Sequence, residues 1–126
     1  MPKGDLPQPT EAELAILEVL WDSGPCTVRQ VHDTLHRTRD STTGYTTVLK
    51  LMQIMAQKGL AERDESMRSH LYSAVCSREI TQRGLVDDLI EKAFSGSTSQ
   101  LVLSALSAKR ATPEELAEIR EILRRK

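Results

Sequence analysis

The sequence predicts a mainly α protein with one small β-hairpin. Only 3% of its 126 residues are aromatic, so its core must come from Leu, Ile, Val, Met and Ala, which favours helices over a β-sandwich. Capping boxes that start helices occur at Thr10, Thr27 and Thr112, whereas the pattern of a hairpin occurs once. A chain of this length can form one domain of average size or two small ones.

Charge, hydrophobicity and cysteine content indicate where the protein works and which kinds of partner it has. With 17 basic and 18 acidic residues the net charge is −1, so the chain as a whole has no general signature of nucleic-acid binding, although residues 27–76 carry two more basic than acidic side chains. No apolar run approaches the roughly 20 residues that span a bilayer, and there is no signal-peptide core, so we expect a cytoplasmic protein. Cys26 and Cys76 match no metal-binding spacing and are expected to be free thiols.

Two capped helices are predicted near the start of the chain. After an extended, proline-containing lead-in at residues 1–9, Thr10 and Glu13 form the first capping box, and the helix runs to about Asp22. Its predicted buried stripe is Leu14, Leu17, Leu20 and Trp21. The second helix starts at the Thr27 box and runs to about Arg37. Its predicted anchors are Val28, Val31 and Leu35.

The third helix, predicted at residues 43–59, has two different faces. The apolar stripe consists of Val48, Leu51, Met52 and Met55. The opposite face consists of Thr46, Lys50, Gln53 and Gln57. Hydroxyl, amide and ammonium groups suit base edges and phosphates in a DNA major groove, and an ordinary solvated face is the alternative interpretation. Thr42 or Thr43 is expected to cap this helix, and Gly59 to end it.

A hairpin is predicted directly after the third helix. Residues 60–64 and 69–75 have the composition of short strands around a polar tip, where Arg68 can meet a phosphate or a minor groove. Two helices joined by a polar turn and followed by a hairpin outline a winged helix-turn-helix domain, which we assign to residues 10–76. Cys26 is expected on a short strand beside the hairpin strand that ends near Cys76, and the two thiols are either buried structural groups or a redox pair.

Residues 77–126 are predicted to form a three-helix dimerisation domain. Ser77 caps its first helix, Gly96 ends that helix, and the Thr112 box with Pro113 starts the last one. Too many positions are apolar for an isolated unit of this size, so we predict a homodimer whose DNA site is an inverted repeat. The predicted interface is Leu89, Phe94, Leu101, Val102, Leu106, Leu116, Ile119, Ile122 and Leu123, with the last four facing inward.

Segments across nearly the whole chain resemble the penicillinase-repressor family of BlaI and MecI type. They are residues 10–21, 28–31, 45–60, 96–103, 114–116 and 122–123. The resemblance implies a dimeric winged-helix repressor that binds an inverted-repeat operator and blocks transcription of antibiotic-resistance or other stress genes. It also implies release when a membrane-bound sensor metalloprotease triggers cleavage in the C-terminal domain, where the cleavage region aligns with Ser104 and Ala105.

The chain departs from the family pattern at three places. Leu49 and Ile54 stand where well-known relatives have basic residues, although Lys50 is adjacent. Ser104 and Ala105 lack the bulky residue found after the cut in the best-studied relatives. The cysteine-rich tail of the copper-responsive branch is absent, so thiolate-based copper sensing is not expected.

The residues assigned to DNA contact are Thr27, Arg29, Thr43, Tyr45, Thr46, Thr47, Lys50, Gln53 and Arg68. No nucleophile–base grouping, phosphate loop or paired-carboxylate motif is present, so we expect neither an enzyme nor a cofactor. His32 and His36 are four residues apart on a helix, a spacing that can hold zinc, but the HExxH arrangement is missing and solvated or partly packed histidines are the simpler interpretation. The rival function is a winged-helix module that binds protein rather than DNA.

Overall fold

The structure, a computed structural model, describes residues 7–107 and 111–125. Within these ranges the chain forms six helices and one two-stranded antiparallel sheet. The helices are α1 (Glu11–Ser23), α2 (Val28–Arg39), α3 (Tyr45–Lys58), α4 (Arg78–Ala93), α5 (Thr98–Ser107) and α6 (Pro113–Arg125), and the strands are β1 (Ala61–Asp64) and β2 (Leu71–Ala74). The predicted class, mainly α with a small β-wing, is confirmed. Most of the predicted lead-in, residues 1–6, lies outside the described residues.

The chain divides into two compact units between Leu85 and Val86, a point within α4. The first unit contains α1, α2, α3 and the hairpin, and the second contains α5 and α6. The proposed domain boundary at residue 77 stays a prediction. No helix in the described part of the chain is long and apolar enough to cross a membrane.

The first unit is organised around one apolar core. Its members come from α1, α2, α3 and the hairpin, and the largest fully buried side chains are Tyr72, Ile16, Leu17, Met52, Met55, Val31 and Val48. In the hairpin Ala61 pairs with Ala74 and Asp64 with Leu71. Cys26 adds an isolated bridge on the other side of β2, because its N–H donates to Tyr72 O at 2.9 Å and Tyr72 N donates to Cys26 O at 2.8 Å. The expected third strand is thus a single bridge.

All three capping boxes are confirmed. In α1, Glu13 N donates to Thr10 Oγ1 at 3.2 Å and Thr10 N donates to Glu13 Oε1 at 2.9 Å. The same reciprocal pair joins Thr27 to Gln30 in α2 and Thr112 to Glu115 in α6. These helix starts depend on residues three positions apart, which is why local sequence was sufficient to predict them.

The buried face of α1 differs from the predicted stripe. Leu17 and Leu20 are buried as expected, but Leu14 and Trp21 are only half-buried, and Ile16 and Val19 are buried instead. The reason is that α1 contacts α2, α3 and β2, so it buries more of its circumference than a surface helix does. Trp21 stays at the edge, where its indole Nε1 donates to Cys76 O at 2.9 Å.

The predicted cap of α3 is also wrong. Gly44 occupies the N-cap position and no side chain accepts from the first turn, so neither Thr42 nor Thr43 caps the helix. The turn before it is set by Asp40, which ends α2 two residues later than predicted and lies in the left-handed region at φ 53°. Gly59 ends α3 as predicted, at φ 87°, a conformation that costs glycine little because it lacks a Cβ.

The second unit has apolar side chains but buries none of them fully. The helix α4 begins in the first unit, where Ser77 accepts from Ile80 N as predicted, and ends in the second unit, where Gly96 N donates to Ile90 O. Among the described residues of α4, α5 and α6 none is buried. Leu116 and Ile119 are half-buried, but Ile122 and Leu123 are 52% and 66% exposed, so the expectation that they face inward is not met within a single chain.

Candidate nucleic-acid interface

The outer face of α3 is exposed while its inner face fills the core. Tyr45, Thr46, Thr47, Lys50 and Gln53 are all exposed, and their helix is anchored by buried side chains one turn away. The anchors are Val48, Met52 and Met55. A helix held in this way can present its polar side chains without moving, as base contact in a major groove requires.

The charge on α3 has one sign. Its sequence contains Lys50 and Lys58 and no carboxylate. Lys58 Nζ donates to the buried Glu13 at 2.8 Å, so its ammonium is neutralised inside the unit. Lys50 forms no ion pair with any residue that the structure describes. The exposed ammonium of α3 available to a phosphate is therefore that of Lys50.

The start of α3 offers backbone donors as well. With glycine at the N-cap, no side-chain oxygen accepts from the first-turn N–H groups, and the first hydrogen bond of the helix is from Val48 N to Gly44 O at 3.1 Å. Unsatisfied N–H groups and the helix dipole make such an end favourable for an anion. The arrangement suits a phosphate beside Tyr45 and Thr46.

Tyr45 links this end of α3 to α2. The guanidinium of Arg29 lies over the Tyr45 ring, 4.7 Å from its centroid, and the His32 ring stands edge-on to it at 6.1 Å. Two of the predicted contact residues, Arg29 and Tyr45, are thus in direct contact. Thr27 is half-buried at the N-cap of α2, where its hydroxyl accepts from Gln30 N. That hydroxyl therefore has a structural role whether or not it contacts DNA.

An open cleft lies between α3 and the hairpin. Tyr45 and Gln53 line one side of it, and Arg63, Arg68 and His70 line the other. Arg63 is ion-paired with Glu65, and a hydrogen bond with Tyr72 followed by one with Glu65 raises the pKa of its guanidinium. Arg68 has no ion pair among the described residues, so it is the hairpin cation free to meet a phosphate.

The two positions that depart from the family pattern are not on the fully exposed face. Leu49 is half-buried, packs against the core and lines the cleft, and Ile54 is half-buried too. Thr43 is half-buried in the turn before α3, where its carbonyl is already hydrogen-bonded. The polar contact set of α3 itself thus consists of Tyr45, Thr46, Thr47, Lys50 and Gln53.

Two side-chain contacts were missed by sequence reasoning. Glu13 was expected only in a capping box, yet it is 2% exposed and binds Lys58 from the far end of α3. Burial alone raises the pKa of Glu13, but hydrogen bonds from Lys58 and Thr10 outweigh it and hold that pKa below its ordinary value. His36 was treated as a possible metal ligand, yet its Nε2 donates to Thr43 O at 2.9 Å. Both contacts join residues that the sequence does not pair.

The cysteines and histidines form no metal cluster in the part of the chain that the structure describes. Cys26 is buried, its thiol donates to Gly24 O at 3.3 Å, and burial raises its pKa. A buried thiol with a raised pKa rarely ionises to the reactive thiolate, which favours a structural role for Cys26 over redox chemistry. Cys76 is half-buried and also free.

Comparison with known proteins adds independent observations. A family model described as penicillinase repressor matches residues 9–125. The transcriptional regulators BlaI from two strains of Mycobacterium tuberculosis are 35% identical over 94 residues, which are 74% of this chain and 67% of theirs. The fold is similar to the solution structure of the monomeric form of Bacillus licheniformis BlaI in complex with the blaP half-operator, with a TM-score of 0.50, 23% identity, and coverage of 59% of this chain and 88% of that one.

The matched family is named for a repressor, and the matched relatives are named as transcriptional regulators. The matched residues include both units, so the family match is not confined to the fold of the first unit. The chain belongs to the penicillinase-repressor family of transcriptional regulators.

Proposed function

We propose that this protein is a transcriptional repressor that binds duplex DNA through the exposed face of α3. The observation that carries the proposal is that face itself: it is backed by the core, contains no carboxylate, and has two threonines, a lysine and two glutamines among its exposed positions. The Bacillus licheniformis relative with a similar fold is bound to a half-operator, which supports DNA as the partner.

The residues proposed to contact DNA fall into two groups. Tyr45, Thr46, Thr47, Lys50 and Gln53 are proposed to contact base edges and the adjacent backbone in the major groove. Arg68 and Arg29 are proposed to bind phosphates on either side of the groove that α3 enters. The uncapped start of α3 adds backbone N–H donors. Thr27 then acts mainly as the N-cap of α2, and Thr43 acts mainly through its carbonyl in the turn before α3.

The proposed active form is a homodimer on an inverted repeat. Support comes from the second unit, where Leu89, Val102, Leu103, Ile122 and Leu123 are all at least 40% exposed. Apolar side chains of this number are rarely left in water on a monomeric protein, and a second copy of the chain would cover them. With two-fold symmetry, two α3 helices would lie about 34 Å apart, or a multiple of that distance.

Release by proteolysis is part of the proposal, with a membrane-bound sensor metalloprotease as the trigger. Ser104 and Ala105, the proposed cleavage region, are exposed but lie inside α5. A protease takes its substrate as extended chain, so α5 would have to unwind before cleavage. In a single chain α5 has no fully buried residue, so unwinding should be easier in the monomer than in the proposed dimer, where Val102 and Leu103 would be covered. A cytoplasmic location and control of antibiotic-resistance genes complete the proposal.

The experiment that tests DNA binding needs no knowledge of the operator. Full-length protein is allowed to enrich duplexes from a random pool, and its affinity for the enriched duplex is measured by fluorescence anisotropy at several salt concentrations. We expect an inverted repeat to emerge and its affinity to fall steeply with salt, because bound phosphates release counterions. No enrichment and no duplex affinity at low salt would favour the protein-interaction module instead.

A further inference from the structure

The turn that leads into α3 is held by side chains rather than by a cap. Thr43 N donates to Ser41 Oγ at 3.1 Å, and Thr43 O accepts from His36 Nε2 at 2.9 Å. Gly44 follows, and glycine has the widest backbone freedom of any residue. Gly44 adds no side-chain restraint of its own, so the turn immediately before α3 is held by the two hydrogen bonds of Thr43, one to Ser41 in the loop and one to His36 on α2.

His36 is itself supported by a second imidazole. The rings of His32 and His36 lie 4.2 Å apart, because residues four positions apart share one face of α2. The His32 ring contacts Tyr45, the first residue of α3, and its Nδ1 donates to Asp33 Oδ1 at 3.0 Å. Arg29 covers the Tyr45 ring from one turn earlier on α2. Both histidines of the pair thus contact the segment where α3 begins, His36 at Thr43 and His32 at Tyr45.

We infer that His36 is a positioning residue for DNA recognition: by holding Thr43 O, it fixes the turn that leads into α3 and so the first residues of that helix, Tyr45, Thr46 and Thr47, while the core holds the rest of the helix. The inference rests on the proposed function of α3 as the DNA-reading helix. His36 makes no base contact in this account and acts through the backbone. The i, i+4 histidine pair is then explained by the join between α2 and α3, with Nε2 of His36 already engaged by Thr43 and not free for a metal.

Two substitutions separate positioning from a general structural role. His36→Ala removes the hydrogen bond to Thr43 O, whereas His36→Gln keeps an N–H donor at a similar distance from the backbone. Thr38→Ala is the matched control, because Thr38 is also exposed on α2 and its hydroxyl donates only to Thr34 O within that helix. His36 and Thr38 are exposed, so all three variants should keep the first unit folded.

The first readout is made on the free protein. Hydrogen exchange of the Val48 amide, which donates the first hydrogen bond of α3, is followed by NMR. We expect exchange to be about five-fold faster in His36→Ala and unchanged in His36→Gln and Thr38→Ala, as fits the loss of one hydrogen bond.

The second readout is binding to the duplex enriched by the wild type. We expect His36→Ala to bind about five-fold more weakly with the same salt dependence, since no phosphate contact is lost, and His36→Gln to recover the affinity. Equal Val48 exchange and equal affinity in His36→Ala and wild type would overturn the inference while leaving DNA binding intact. A wild type that enriches no duplex would instead overturn the proposed function, and the DNA role of His36 with it.

Discussion

Lys58, in the last turn of α3, donates a 2.8 Å hydrogen bond to Oε1 of Glu13, in the first turn of α1. The same carboxylate oxygen accepts from Thr10 N, so one atom serves the start of one helix and the end of another. Glu13 is 2% exposed and is the one buried charged residue in the part of the chain that the structure describes. The far end of the proposed DNA-reading helix is therefore fixed by a buried charge pair, as its start is fixed by Thr43.

Breaking this pair should destabilise the first unit, and replacing Lys58 should cost more free energy of unfolding than replacing Glu13. Lys58→Met leaves a buried carboxylate without its cation and is expected to cost about 2 kcal/mol, whereas Glu13→Gln keeps the acceptor for Thr10 N and should cost about 1 kcal/mol. Urea unfolding followed by the fluorescence of the sole tryptophan, Trp21, measures both. The control is Lys50→Met on the same helix, expected within about 0.5 kcal/mol of wild type. A larger loss in the control than in Lys58→Met would contradict this prediction.

The stability contributed by Glu13 should depend on pH in a definite direction. Its pKa in the folded protein is lowered from the ordinary value of 4.5, so the ionised form is favoured by folding. The contribution is then fully present above about pH 4.5 and is lost as pH falls through the lower folded value. The difference in unfolding free energy between wild type and Glu13→Gln should shrink below pH 4.5. Glu11→Gln is the control, because Glu11 is in the same turn and forms no ion pair with the described residues. A difference that widens in acid would refute the sign.

Lys50 should contribute to DNA affinity through charge. If its ammonium binds a phosphate, Lys50→Ala weakens binding to all duplexes alike and reduces the slope of log K against log[salt] by about one. Lys92→Ala is the matched control, since Lys92 is exposed on α4 and pairs with Asp88. Anisotropy titrations at four salt concentrations give both slopes. An unchanged slope together with a lost base preference would assign Lys50 to a base edge instead.

Thr46 and Thr47 should contribute to sequence preference rather than to charge. Removing a hydroxyl that contacts a base is expected to cost about 1–3 kcal/mol on the preferred duplex and much less on a scrambled one. The ratio of the two affinities is the measurement. Thr46→Ala and Thr47→Ala variants that both retained the wild-type ratio would move base contact away from the first turns of α3.

Leu123 should contribute to association of the second unit. It is 66% exposed in the single chain, and Leu123→Asp would place an unpaired charge in the proposed interface. Analytical ultracentrifugation should show a monomer, and affinity for the inverted repeat should fall with it. Ala117→Asp adds the same charge about 120° around α6 from Leu123, outside the apolar stripe of that helix, and should leave the dimer intact. A dimer that survives Leu123→Asp but not Ala117→Asp would relocate the interface to the other face of α6.

The parts of the fold that the sequence predicted are those fixed by neighbours along the chain. Capping boxes at Thr10, Thr27 and Thr112, and the glycine stop at Gly59, involve residues within one turn, so their signals are complete in the sequence. The exposed polar positions of α3 followed from helical period in the same way. Their role in binding stays a prediction.

The parts that were missed depend on contacts between distant segments. Ile16 and Val19 are buried because α1 is covered by three other elements, which no periodicity within α1 reveals. Glu13 and Lys58 are 45 positions apart, and the local role of each, in a helix cap or on a polar helix face, gives no sign of the contact between them. At the start of α3 the threonines favour a cap, but Gly44 is the N-cap, and the carbonyl of Thr43 accepts from His36 on another helix. Local propensity was overridden by tertiary contacts in each case.

Every buried side chain among residues 7–107 and 111–125 belongs to the first unit, so that unit can stay folded at concentrations where the chain is monomeric. For the proposed dimer, occupancy of the operator would fall in that regime because the dimer dissociates on dilution, and not because the first unit unfolds. When two DNA-binding units are joined in a dimer, binding of one unit to its half-site raises the effective concentration of the other unit at the neighbouring half-site. Cleavage that separates the two units removes this increase in effective concentration. Gene expression would then respond steeply to the number of intact copies per cell, with no change in how each copy recognises its half of the site.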